Sequence, residues 1–165
     1  VKGTEQVPCP CCSGGLKVIG SRKRKFIDGL GETVTLVIRR MRCTTCGRVH
    51  HELPDVLVPY KRHCSESIEP VVAGVEQLSV PADESTLCRW RRWFLNQSCH
   101  FLGCLISIAT RFHGYTAEES SRLPRSVLEG ILKLTGGQAM WLSKVVRSIA
   151  NSNNWTHTRS AFLSG

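Results

Sequence analysis

Nine cysteines stand in this chain of 165 residues, and four of them are spaced for metal binding. Cys9-Pro10-Cys11-Cys12-Ser13-Gly14 and Cys43-Thr44-Thr45-Cys46-Gly47-Arg48 each contain a C-x2-C pair with a glycine within the next two positions. Tetrahedral zinc takes four soft thiolates, and a C-x2-C turn aims backbone N–H groups at the sulfurs. The glycine after each pair lets the chain take the φ > 0 conformation that such a turn needs. The expected site is one structural Zn2+ held by Cys9, Cys12, Cys43 and Cys46. The C-P-x-C spacing favours Cys9 with Cys12, while exchange of Cys11 for Cys12 stays open on sequence alone. A redox C-x2-C belongs in a βαβ setting, which the surrounding pattern lacks.

Two extended segments must carry the pairs to one place. Leu16-Lys17-Val18-Ile19 leads out of the first, and the β-branched run Thr33 to Arg42 delivers Cys43 to the second. Asp28-Gly29-Leu30-Gly31 supplies the turn, so residues 1–52 read as a zinc ribbon. The same hairpin concentrates positive charge in Arg22, Lys23, Arg24, Lys25, Arg39, Arg40 and Arg42. On paired strands these predict one basic face of about six cations, whose phosphate contacts would be strongly salt-dependent.

Residues 53–64 carry two prolines and little periodicity, the pattern of an extended linker. The nearby His50, His51, His63 and Cys64 are assigned structural or solvent roles, because a full thiolate set already exists. Helical periodicity begins after that. Ser65 or Ser67 caps a helix with Ile68, Val71, Val72, Val75 and Leu78 on one face. Asp83-Glu84-Ser85-Thr86 opens a second helix, on which Leu87, Trp90 and Phe94 share a face. Residues 65–97 therefore predict a helix-turn-helix whose second helix presents Ser85, Thr86, Arg89, Arg91 and Arg92, with arginines suited to guanine and hydroxyls suited to phosphate. Residues 98–165 read as a helical region packed upon it, with helices over 98–112, 123–134 and 138–150. Cys99, His100 and Cys104 stack on one helix face, and buried packing is the expected role for them. The fold class expected is α+β.

Charge supports a polyanionic partner. Residues 1–64 hold 12 basic and 5 acidic side chains, against 10 and 8 in residues 65–165. The overall net charge is +9, and such asymmetry points to nucleic acid. No apolar run is long enough to span a membrane, and Val1 to Pro10 has none that would make a secretory signal. The default is a soluble cytoplasmic protein. The three aspartates, Asp28, Asp55 and Asp83, fall in turn, linker and cap positions, so no converging carboxylates predict a two-metal enzyme. No phosphate-binding glycine loop, nucleophile elbow or H-E-x-x-H is present. Cys88, among arginines, has no partner base, and the expectation is a protein that is not an enzyme.

Cys9-Pro10-x-Cys12, Arg24-Lys25-Phe26-Ile27-Asp28, Arg39-Arg40-Met41-Arg42-Cys43-x-x-Cys46-Gly47, Glu52-Leu53-Pro54 and Pro59-Tyr60-Lys61-Arg62 together resemble the N-terminal zinc ribbon of bacterial insertion-sequence transposases. Ser85-Thr86-Leu87-Cys88-Arg89-Trp90 is similar to the helix-turn-helix that follows in those proteins. The chain also resembles short bacterial zinc-ribbon proteins that lack a catalytic domain. The resemblance covers about residues 9–94. It implies zinc at Cys9, Cys12, Cys43 and Cys46 and contact of the Ser85–Arg92 helix with double-stranded DNA; the expected setting is the bacterial nucleoid, with a homodimer as the candidate assembly. It further implies service to a mobile element, alongside a transposase, or to transcription. Lys61 and Arg62 join the hairpin cations and the Ser85–Arg92 helix as expected DNA contacts. Docking on a larger protein machine, or RNA binding through the hairpin, are the rival readings.

Overall fold

The structure is a computed structural model that describes residues 6–137 and 139–155 and the backbone of 160–163. The expected α+β class holds: an antiparallel sheet is followed by helices. Strands β1 (Leu16–Ile27) and β2 (Thr33–Cys43) pair from Leu16↔Cys43 to Ile27↔Thr33, with one bulge between Val18 and Gly20. Asp28 closes their turn, its Oδ1 accepting the N–H groups of Leu30 and Glu32. The hairpin register brings the two ends that bear cysteines side by side, as the spacing of the pairs predicts.

The first departure is a third strand. β3 (Val49–Pro54) lies antiparallel to β2, with Arg40↔His51, Met41↔His50 and Arg42↔Val49. Residues 53–64 are correspondingly no extended linker, because Leu53, Leu57, Val58 and Cys64 are buried in the core. Asp55 ties this segment to the helices: its backbone oxygen accepts from Ser65 and Ser143, and its carboxylate pairs with Arg147 at 3.1 Å. Prolines hid this segment from a pattern reading, since they remove periodicity without preventing burial.

Helix α1 spans Ser65–Val72, and Gly74, at φ +78°, ends it. The expected extension to Leu78 is absent because this glycine turns the chain. Neither Ser65 nor Ser67 caps the helix. Cys64 stands at the cap position, its thiol 3.2 Å from Ser67 Oγ and not on a backbone N–H, while the Ser65 hydroxyl donates to the Asp55 backbone oxygen. Residues 73–83 then lead to α2 (Glu84–His113), capped by Asp83 and ended by Gly114 in the left-handed region. Eleven connecting residues replace the three or four of a helix-turn-helix turn. Nor does the second helix stop near residue 97. Its 30 residues are continuous, merging the reading helix with the apolar 98–112 segment.

Helices α3 (Ala117–Ser121), α4 (Val127–Thr135) and α5 (Trp141–Asn151) complete the helical layer. α3, built on a Thr116/Glu119 capping box, was not foreseen. Glu69 of α1 caps α5 from a distance, its carboxylate accepting the Met140 and Leu142 N–H groups at 2.9 and 3.0 Å. Strand β4 (Ser160–Leu163) pairs parallel to β3, so the tail returns to the sheet rather than to the helices alone; residues 156–159 lie outside the described residues. One hydrophobic cluster joins everything. Phe26, Ile38 and Leu53 of the sheet meet Ile68, Leu87, Trp90, Phe94, Phe101, Ile131, Leu142 and Val145 of the helices. Each such side chain contributes about 1.5–3 kcal/mol on burial, so ribbon and helices stabilise each other. Among the described residues no helix is long and apolar enough to cross a membrane.

Candidate metal centre and cationic cleft

Sulfur atoms of Cys9, Cys12, Cys43 and Cys46 lie within 4.8 Å of one another. Cys9 Sγ is 3.7 Å from Cys46 Sγ, and Cys12 Sγ is 3.5 Å from Cys43 Sγ. A tetrahedron with metal–sulfur bonds of about 2.3 Å has edges of about 3.8 Å, so the donor set fits one structural metal ion. Cys12, and not Cys11, lies with the other three in this group, and the Cys11 thiol faces Asn153 Oδ1 at 3.6 Å. The second knuckle is prearranged for a thiolate. The Cys46 and Thr45 N–H groups both donate to Cys43 Sγ at 3.4 Å, and the Cys46 bond, the larger effect, helps pull the Cys43 thiol down to about 6. Burial pushes the Cys9 thiol the other way.

The two glycines serve different ends. Gly47 sits at φ +68°, as the turn argument expects. At the first knuckle the left-handed residue is Ser13, at φ +58°. Gly14 is needed for space instead, since a Cβ there would overlap the Thr45 side chain and lie 3.1 Å from Cys43 Sγ.

Sequence reasoning gave His50 a structural or solvent role and missed its place beside the thiols. His50 is fully buried, with Nε2 3.4 Å from Cys9 Sγ, and Cys9, Cys11 and His50 form a second close donor group. An imidazole N–H on a ligating thiolate is the kind of outer contact that orients a ligand. The register of β3, which sets His50 opposite Met41, places it there, and only recognition of that strand would have found it.

The expected single basic face is divided. Strand pleating sends alternate residues to opposite faces, and Arg39 turns to Glu52. Its Nε and Nη2 donate to the two carboxylate oxygens at 2.6 and 2.9 Å, a bidentate pair with Glu52 almost wholly buried. Arg42 Nε donates to Gly47 O at 3.3 Å, bracing the second knuckle. Lys23 is exposed on the hairpin, and Arg40 lies near His51, opposing its protonation after burial and Arg22.

The other cations converge. Arg22, Arg24 and Lys25 of β1 meet Lys61 and Arg62 around a cleft of about 350 Å3, completed by Ile38, His51, Leu53, Pro59 and Tyr60. No acidic side chain lines it, and none of the five cations is ion-paired among the described residues. Arg24 is half-buried and pinned, its Nη2 donating to Val58 O and Lys61 O at 3.4 and 3.3 Å. Burial, then neighbouring Arg22, lowers its affinity for a proton. Lys61 is shifted down by burial and by Arg89, and its Nζ stands 4.4 Å from the Trp93 ring. The positive surface thus continues from the ribbon onto α2.

On α2 the expected contacts are mixed. Leu87, Trp90 and Phe94 are buried on one face, as predicted, leaving Arg89, Arg91 and Arg92 exposed. Ser85 and Thr86 are occupied by the cap, with hydroxyls 2.6 and 3.3 Å from the Asp83 carboxylate. Arg89 folds back on Ser85 O and Thr86 Oγ1, and Arg91 lies 3.5 Å from Glu84. His100 and Cys104 pair with each other at 3.6 Å, outside any metal-sized group among the described residues.

Comparison with known proteins adds one match. Residues 9–90 match a family described as Domain of unknown function (DUF6431). That span runs from the first knuckle through the cleft and α1 to Trp90 of α2, so it contains every element that builds the metal centre and the cleft. No curated protein and no solved structure matches the chain.

Proposed function

We propose that this protein binds double-stranded DNA, with one structural zinc ion at Cys9, Cys12, Cys43 and Cys46 setting the ribbon that carries the contact surface. Zinc is favoured among metals because four thiolates in a tetrahedron suit a soft d10 ion. The observation that carries the reading is the cleft of five cations with no acid, continued through Lys61 toward Arg89. Clustered like charges raise one another's energy, and an external polyanion relieves that repulsion. Binding rather than catalysis is the role, in the service of a mobile element or of transcription in a bacterial cytoplasm, following the transposase resemblance.

The test is selection from a random-duplex library at about 150 mM salt, with RNA and single strands as competitors. An enriched motif supports a duplex reader, and a palindromic motif supports a homodimer. Absence of duplex binding at any salt overturns the proposal. A second reading, docking on a transposase or other protein, is favoured by Leu95 and Phe112, which leave α2 72% and 64% exposed. Retention of a partner that Leu95→Asp abolishes, without duplex binding, selects it.

A further inference from the structure

We infer that the cationic cleft receives an unpaired nucleotide of a DNA strand, stacked on Tyr60. The inference rests on the proposal that this surface meets nucleic acid and names the form of strand the cleft takes. Three observations support it.

Shape comes first. Reading base edges calls for a helix or ribbon that protrudes into a groove, whereas this site is concave and meets a duplex through its phosphates alone. Its volume of about 350 Å3 is at the small end of ligand clefts, which begin at about 300 Å3. It accommodates one nucleotide-sized group that has left a base stack.

Chemistry is divided within the cleft as a nucleotide is. Tyr60, 72% exposed among the residues lining the cleft, supplies the surface for a base, above a floor of Ile38, Leu53 and Pro59 that is itself buried in the core. Arg22, Arg24, Lys25, Lys61 and Arg62 supply the charge for the flanking phosphates. Arg24 is held by two backbone oxygens, so its guanidinium is positioned before any strand arrives.

The third observation is backbone strain. Residues 58–61 form a turn closed by the Lys61 N–H on Val58 O, with Pro59 second and Tyr60 third. Tyr60 has φ +61°, at the position where a turn of this kind asks for glycine or asparagine. A bulky aromatic is a poor choice there on local grounds. Tyr60 is nonetheless 72% exposed among the residues that line the cleft, so it is not held in the core. An exposed aromatic beside a cationic groove is the platform on which unpaired bases stack.

The experiment uses the full zinc-loaded chain and three variants, Tyr60→Gly, Tyr60→Phe and Lys61→Ala. Fluorescence anisotropy reports binding to a labelled oligothymidylate and to a blunt duplex of the same length, with oligouridylate as competitor. Tyr60→Gly relaxes the turn, and its melting temperature is read alongside Tyr60→Phe so that lost binding is separated from lost folding. Expected is a loss of about tenfold or more on the single strand for Tyr60→Gly, with duplex affinity within twofold. Tyr60→Phe retains single-strand binding, and Lys61→Ala weakens both. Unchanged oligothymidylate affinity in Tyr60→Gly, or equal loss on both ligands, overturns the inference while leaving duplex binding intact. Tighter binding of oligouridylate overturns the assignment to DNA. Single-strand binding that follows Tyr60 with no duplex binding at any salt supports the inference and defeats the duplex proposal.

Discussion

The two ends of the ribbon handle charge in opposite ways. At the knuckles, potential anions converge, and the chain supplies what they need: N–H groups of Thr45 and Cys46 on Cys43, His50 against Cys9, and a geometry fit for a dication. At the cleft, five cations converge without an acid to neutralise them. Arg39 shows that the sheet could have neutralised such groups, because one strand away it is clamped by Glu52. Thiolates gathered around an internal ion hold a fold together. Uncompensated cations around an open cleft add nothing to that stability.

The largest effect belongs to the metal end. Cys43→Ser is expected to abolish zinc retention and unfold the ribbon, since structural zinc sites supply apparent binding energies of about 10–16 kcal/mol. Metal content by plasma emission and a thermal melt read it, and a variant keeping one zinc per chain with a native melt would refute the ligand set. Chelator or acid should act in the same direction on the parent protein, because protons compete with metal for the thiolates.

Arg39→Ala should follow. It leaves the Glu52 carboxylate buried without its bidentate partner, at a cost of about 2 kcal/mol after discounting for the partial exposure of the arginine. Salt dependence of DNA binding should be unaltered; a reduced slope would place Arg39 on the contact surface and blur the distinction between the two ends. Gly14→Ala should cost about 1–3 kcal/mol, since the new methyl must displace Thr45 at the knuckle. Urea denaturation with zinc present measures it, and a neutral result would mean the first knuckle has room to relax.

The smallest effect is expected at the cleft. Lys61→Ala should leave the melt within about 0.5 kcal/mol and reduce the slope of log Kd against log salt by about one. If Lys61→Ala destabilises as much as Arg39→Ala, the cleft is structural and the contrast fails.

Much of the hairpin and the four clustered cysteines were legible, because both rest on local rules. Thr33–Arg42 is rich in β-branched residues, Asp28-Gly29 makes its own turn, and C-x2-C encodes a knuckle within a few residues. The buried face of Leu87, Trp90 and Phe94 was legible for the same reason, through helical period. The rest failed where a partner distant in sequence decides the outcome. β3 was hidden because His50-His51-Glu52 pairs its polar residues with Cys9 and Arg39 instead of alternating them with apolar ones. The turn of a helix-turn-helix was expected from Ser79-Val80-Pro81-Ala82, yet Gly74 ended the first helix earlier and lengthened the connection. Capping by Ser65 was a sound local expectation, displaced by the hydroxyl's bond to Asp55.

By itself the sequence determined what short range can determine: the thiolate pairs, the hairpin between them, the excess of positive charge in residues 1–64, and helices after residue 64. Tertiary structure decided which cations matter. Arg39 and Arg24 look alike in a string of residues, and both lie on strands of one hairpin. One meets Glu52 across the sheet and is neutralised; the other meets Lys61 and Arg62 from a segment folded against the hairpin and is not. Electrostatic energy depends on distance in space, and distance between residues far apart in the chain is what only the fold sets.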